Sequence, residues 1–153
     1  MELYDSLQDR LKTQHEGIPM LIEDLTNEQI HYPFAPGKWT IHQNIAHLAK
    51  YQTVFIERLK LILETKEPVF ERYSAEADPD FPKWCQWPTE DLIKRLEKDR
   101  QFLFTFITQL NSGQLIKAGV HKKFGKLSVV QWTEFFLLHE SHHMFTIFQL
   151  SHH

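Results

Sequence analysis

The stretch that most constrains this chain lies near its end, from Ser128 to Leu150. With helical periodicity, Trp132, Phe135, Phe136, His139, His143, Ile147 and Leu150 fall in one stripe, because residues three and four apart share a helix face. Ser128 is placed to cap that helix, and Gln131 three residues later completes a capping box. Two imidazoles therefore interrupt an otherwise apolar row, and their i, i+4 spacing lets both rings reach one point beside the helix. Burying them there costs free energy unless each ring nitrogen has a partner, and one metal ion partners both. The alternative is a pair of core histidines hydrogen-bonded to carbonyls or to amides such as that of Asn44.

The residues His139 to His143 also spell the His-Glu-x-x-His pattern of zinc proteases, in which the glutamate activates water. That chemistry needs a third ligand further on, and Thr146 and Gln149 stand where the extended pattern requires Gly and His. The protease reading is set aside, and Glu140 is expected to be a surface residue beside the site.

Three more amphipathic helices are legible upstream. Leu3, Leu7, Leu11, Ile18, Ile22 and Leu25 repeat at helical spacing, with a kink expected between His15 and Pro19, where Gly17 and the proline disturb the hydrogen-bond ladder. Thr40 and Gln43 form a capping box for a second helix running from Ile41 to about Glu64. Thr89 is expected to cap a third, with Glu90 and Asp91 suiting its positive end and Asn111, Ser112 and Gly113 ending it. Residues 65–88 form a long connection rich in proline and aromatics, expected to cross over and seal one end of the domain. Residues 114–127 read as an irregular link with a possible short extended piece. These elements give an all-α chain in a single domain, 1–153.

A third ligand is best sought in His47, the only histidine of the second helix that borders the buried stripe. Three neutral imidazoles from two helices could hold zinc or a similar divalent ion and leave a coordination position open. His42 turns to the opposite flank. His142 is the substitute ligand if the last helix is rotated, and the terminal His152 and His153, native or a tag remnant, are given no role.

Composition excludes several classes. A net charge of -3 leaves no excess of Lys and Arg to neutralise nucleic acid, and Lys122, Lys123 and Lys126 read as a solvated loop. One cysteine, Cys85, forbids an internal disulfide or a cysteine-rich metal site. The acidic start lacks a signal-peptide pattern and no apolar run is long enough for a membrane span, so a cytoplasmic, unanchored protein is expected.

The segment Gly37-Lys-Trp-Thr-Ile-His-Gln-Asn-Ile-Ala-His47-Leu, the run Phe124-Gly-Lys-Leu-Ser, and the His139/His143 pair followed by Gln149 together resemble the DinB/YfiT-like superfamily of metal-dependent enzymes. The resemblance covers nearly the whole chain. It implies a four-helix bundle with a long crossover between helices 2 and 3, and a divalent metal, zinc or nickel, on His47, His139 and His143. It also implies a small-molecule substrate and the possibility of a homodimer. Characterised members of that superfamily include transferases that activate a low-molecular-weight thiol, and others are described as hydrolases. A thiol-dependent S-transferase is favoured here over a water-activating hydrolase, because no carboxylate stands on the His47 or His143 rows to act as a base. A non-catalytic metal-binding or stress-response bundle is the third reading. The sequence assigns no catalytic residue beyond the three histidines.

Overall fold

The computed structural model describes residues 2–153. In chain order the elements are α1 (Asp5–Thr13), a 3-10 turn (Gln14–Glu16), α2 (Gly17–Ile22), α3 (Asn27–Ile30), α4 (Ile41–Glu64), β1 (Val69–Phe70), α5 (Phe81–Cys85), α6 (Thr89–Thr108), α7 (Ser112–Leu115), β2 (Ala118–His121), β3 (Gly125–Ser128) and α8 (Val129–Ser151). The α1/α2 pair, α4, α6 and α8 make a four-helix bundle, in which α4 packs on both α6 and α8. Among the described residues no helix is long and apolar enough to cross a membrane.

The local signals act as their chemistry requires. Thr40 and Ser128 each accept from the backbone N–H three residues on, while Gln43 and Gln131 reach back to the cap N–H, so α4 and α8 begin where the capping boxes place them. The first helix breaks into a 3-10 turn at Gln14–Glu16, just before Gly17 and Pro19. Gly17 also lies against α8, where a Cβ would come within 2.9 Å of Met144 Cε.

Two expectations about the third helix are corrected. Thr89 does not cap α6: Pro88 holds the cap position, and the Thr89 hydroxyl bonds His42 Nδ1 at 2.7 Å instead. The helix also stops at Thr108, and Asn111 begins α7 with its own capping box. Beside the helices, β1, β2 and β3 form a small sheet at one end of the bundle, and β2 is the short extended piece expected within residues 114–127. In it β1 pairs parallel with β2, and β2 pairs antiparallel with β3. The sheet anchors the long crossover: Val69 and Phe70 pair with Val120 and His121, while Trp132 Nε1 donates to Gly119 O at 3.2 Å from α8.

The core divides along the bundle axis. One apolar cluster contains Leu7, Leu11, Phe55, Leu59, Leu103, Ile107, Trp132 and Phe136. The other contains Ile18, Ile22, Ile45, Leu48, Leu92, Leu96 and Ile147. Between them the buried residues His15, Gln52, Arg100 and Glu140 form a polar layer drawn from all four bundle helices. Glu140 is 1% exposed and is ion-paired to Arg100, which overturns its expected place at the surface. Arg100 also donates to Gln52 Oε1 at 3.1 Å and Leu11 O at 3.3 Å, and Glu140 accepts from Gln14 Nε2 at 3.0 Å. Burial lowers the Arg100 pKa, opposed by its attraction to Glu140.

Candidate metal centre

His47, Tyr51 and Arg58 lie along one face of α4, and His139 and His143 project from α8 toward it. The structure brings His47, His139 and His143 together: one nitrogen from each ring lies within 4.8 Å of the other two. His47 Nε2 is 3.0 Å from His139 Nε2. The ring of His143 lies 4.5 Å from that of His47 and 4.7 Å from that of His139, centre to centre.

The amide of Asn44 orients His143. Its Nδ2 donates to Thr40 O at 2.9 Å, which leaves Oδ1 to accept from His143 Nδ1 at 2.9 Å. The His143 proton is thereby held on Nδ1, and the lone pair sits on Nε2. Aromatic rings fix the other two histidines. Trp39 lies 5.0 Å from His47, Tyr73 stacks on His47 at 5.9 Å, and Tyr51 lies 4.2 Å from His139. Phe81 and Tyr73 come from the long crossover, which therefore supplies part of the site wall as well as closing the bundle.

All three rings are held neutral. Burial is the main cause in each case, pushing His47 down to about 2, His139 to about 3 and His143 to about 4. Mutual repulsion with His143 and His139 adds to the shift of His47, while His143 and then His142 depress His139 further. Neutral imidazoles are what a divalent ion requires.

The donor set fits such an ion. Among the described residues, His47 Nδ1 and His139 Nδ1 are buried without a hydrogen-bond partner, so the close polar contact of each ring is the Nε2 pair. Two lone pairs facing at that separation repel unless a proton or a cation lies between them. Ligands about 2.0–2.1 Å from a tetrahedral ion stand roughly 3.3 Å apart, close to the observed spacing.

The cluster lies in the wall of a cleft of ≈ 830 Å³ whose lining includes Trp39, Tyr51, Arg58, Tyr73, His121 and Phe135. Burial and a hydrogen bond to Asp78 raise the Tyr73 pKa, so its hydroxyl stays protonated and donates to Asp78 Oδ2 at 2.6 Å. Tyr51 is likewise raised by burial. Arg58 is 8% exposed, donates Nη2 to Glu71 O at 2.8 Å, and packs against Phe70 and Trp132 with its Cζ 5.3 and 5.6 Å from the ring centres. Its Nη1 is buried without a partner among the described residues, a state that costs about 1–3 kcal/mol.

The other histidines fall outside the cluster. His42 is buried between Thr89 Oγ1 and Cys85 O, 2.7 and 2.8 Å away, and acts as a strut between α4 and α6. His142 is exposed on the cleft rim. Arg58 and His121 had no role in the sequence reading. The row His47, Tyr51, Arg58 along one helix was a usable signal for the first, but nothing local marks the second, which reaches the cleft only through strand pairing.

Fold and cluster together define a class: a helical bundle with a candidate metal centre where α4 and α8 face each other. A model of the DinB superfamily matches residues 10–147, and the chain belongs to that superfamily. Two proteins of Oceanobacillus iheyensis that carry the name "Putative metal-dependent hydrolase" are each 26% identical to it. One aligns over 88% of this chain and 78% of its own length, the other over 84% and 77%. A Bacillus cereus protein of the same name is 23% identical over 93% of this chain and 82% of its own. Among solved structures, YfiT from Bacillus subtilis superposes with a TM-score of 0.81 at 20% identity, over 97% of this chain and 85% of that one. It is described as a probable metal-dependent hydrolase with an unusual four-helix bundle topology, and the likeness establishes the shared fold.

Proposed function

We propose that this protein is a divalent-metal-dependent hydrolase of small molecules, with His47, His139 and His143 as the metal ligands. The observation that carries the reading is the convergence of three neutral imidazoles on one point of the cleft wall. The names of its relatives support the same reaction class. Zinc and nickel both suit an all-imidazole donor set.

A cation held by three neutral ligands keeps its charge and lowers the pKa of a nucleophile in the remaining position. The chain's own residues prepare that position. Asn44 holds the His143 tautomer, and burial keeps all three rings unprotonated at neutral pH. Trp39, Tyr73 and Phe81 restrict water on the His47 side, while Tyr51 on the cleft wall carries a protonated hydroxyl that can donate to an oxygen of the substrate.

A second reading, thiol S-transfer, is favoured by one observation. Among the described residues no carboxylate bonds any of the three rings, and Glu76 is the only acidic residue lining the cleft. A thiol cosubstrate would bring its own nucleophile and need no base. Cys85 does not supply one, since it lies off the cleft and burial raises its thiol pKa.

The test is an assay of untagged, zinc- or nickel-loaded protein on a panel of small esters and amides, beside monochlorobimane with low-molecular-weight thiols. Hydrolysis without added thiol, lost on chelation, is the expected result. Product formed only with a thiol would establish the second reading, and no turnover in either arm with full metal occupancy would contradict both.

A further inference from the structure

The cleft holds a second group of donors that the metal does not use. Arg58 lines it from α4, buried, with no acidic partner within ion-pair distance among the described residues and with Nη1 unmatched. Its other terminal nitrogen is committed to Glu71 O, and the guanidinium packs against the adjoining Phe70 and Trp132 rings. A buried arginine so immobilised is pre-organised, since the rotamer entropy that anion binding normally costs has already been lost.

His121 completes the arrangement from β2. Its Nδ1 accepts the backbone N–H groups of Lys123 and Phe124 at 3.0 and 3.3 Å, so its proton is fixed on Nε2 and the ring is a donor to the cleft it lines. Arg72 and Lys38 also line the cleft, against Glu76 alone, so its wall carries an excess of positive charge in a chain whose net charge is -3.

We propose that Arg58, with His121 beside it, is the binding site for a carboxylate on the small-molecule substrate, anchoring the substrate in the cleft that holds the three-histidine cluster. The proposal rests on the hydrolase reading for the word substrate, but the anion site itself does not need the metal. A carboxylate oxygen can accept from the unmatched Nη1, and the aromatic wall suits an apolar or aromatic body attached to the carboxylate.

Full-length protein, once loaded with zinc and once after chelation, is titrated with sodium benzoate and with benzamide, its neutral counterpart of the same shape. Benzoate is expected to bind at least about tenfold tighter in both states, a preference of the size one charge-assisted hydrogen bond gives. Arg58→Gln should bring benzoate down to the affinity of benzamide, and Arg58→Lys should lose less. In the wild type, benzoate and not benzamide should shift the Arg58 Nε–Hε and His121 side-chain resonances, which decides the matter even if the variants do not fold. Equal affinity for the two probes would overturn the proposal, as would a benzoate preference that disappears on chelation, because the ion alone would then be holding the anion. Failure to bind zinc with the preference intact refutes the hydrolase reading and sustains the anion site.

Discussion

Asn44 decides which nitrogen of His143 faces the cleft, and the metal proposal depends on that choice. With its amide turned by Thr40 O, the Asn44 oxygen keeps the His143 proton on Nδ1. Replacing a partner of this kind typically costs 10–100-fold in metal affinity, so Asn44→Ala should weaken zinc binding by about that factor in a competitive chelator titration while leaving the fold intact. His143→Ala removes a ligand outright, and metal content measured by mass spectrometry should fall from one per chain to a trace. The three histidines were legible in the sequence because their placement depends only on helix periodicity within α4 and α8. Glu140 was not. Its neighbours in sequence are those of an exposed residue next to a site, and only the approach of Arg100 on another helix turns that position inward.

The polar layer between the two apolar cores is a property of the elements rather than of any one residue. His15 from the 3-10 turn and Gln52, Arg100 and Glu140 from α4, α6 and α8 meet in one hydrogen-bonded layer that ties these elements in register. Removing one member of a buried ion pair leaves the other charge uncompensated at a cost of about 3–5 kcal/mol. Glu140→Ala should therefore lower unfolding free energy by about that amount in a urea titration, and a loss below about 1 kcal/mol would show that the pair contributes no registry. The small sheet makes a second prediction. A Cβ on Gly119 would stand 2.8 Å from Ile62 Cγ1 and 2.9 Å from Phe70 Cε2, so Gly119→Ala should destabilise by about 1–3 kcal/mol through overpacking, measurable as a lower thermal midpoint. The long helices could be read from their apolar rows and capping boxes. The strands could not, since pieces as short as Val69–Phe70 carry no period and are held by pairing with residues far along the chain.

For the whole molecule, the buried histidines couple stability to acidity. His15 is pushed down to about 4 by burial and then by Arg100, and joins the three cleft histidines as a group that is neutral in the folded state. In the unfolded chain each recovers an ordinary pKa of about 6.5, so between there and about 4 the unfolded state binds more protons and stability rises with pH. The histidine contribution is complete above about pH 6.5 and is lost as pH falls toward the folded values. The urea midpoint of chelated protein should accordingly drop between pH 7.5 and 5, and should drop less in His47→Gln. A metal that binds only the folded state should raise the thermal midpoint, by about 2.7 kcal/mol of stability at a hundred times its dissociation constant. The four helices were legible from their apolar faces, and the bundle they make was what the family resemblance implied. The cleft was not, since it is assembled from α4, α8, the crossover and a strand end whose proximity no local pattern reveals.

The most direct measurement is the anomalous scattering of zinc-loaded crystals of untagged protein, recorded on both sides of the zinc absorption edge. The account predicts a single strong peak about 2.0–2.1 Å from a nitrogen of each of His47, His139 and His143. Full zinc content with the peak elsewhere, for example at the exposed His152 and His153, or with the three rings facing one another around nothing heavier than water, would contradict it.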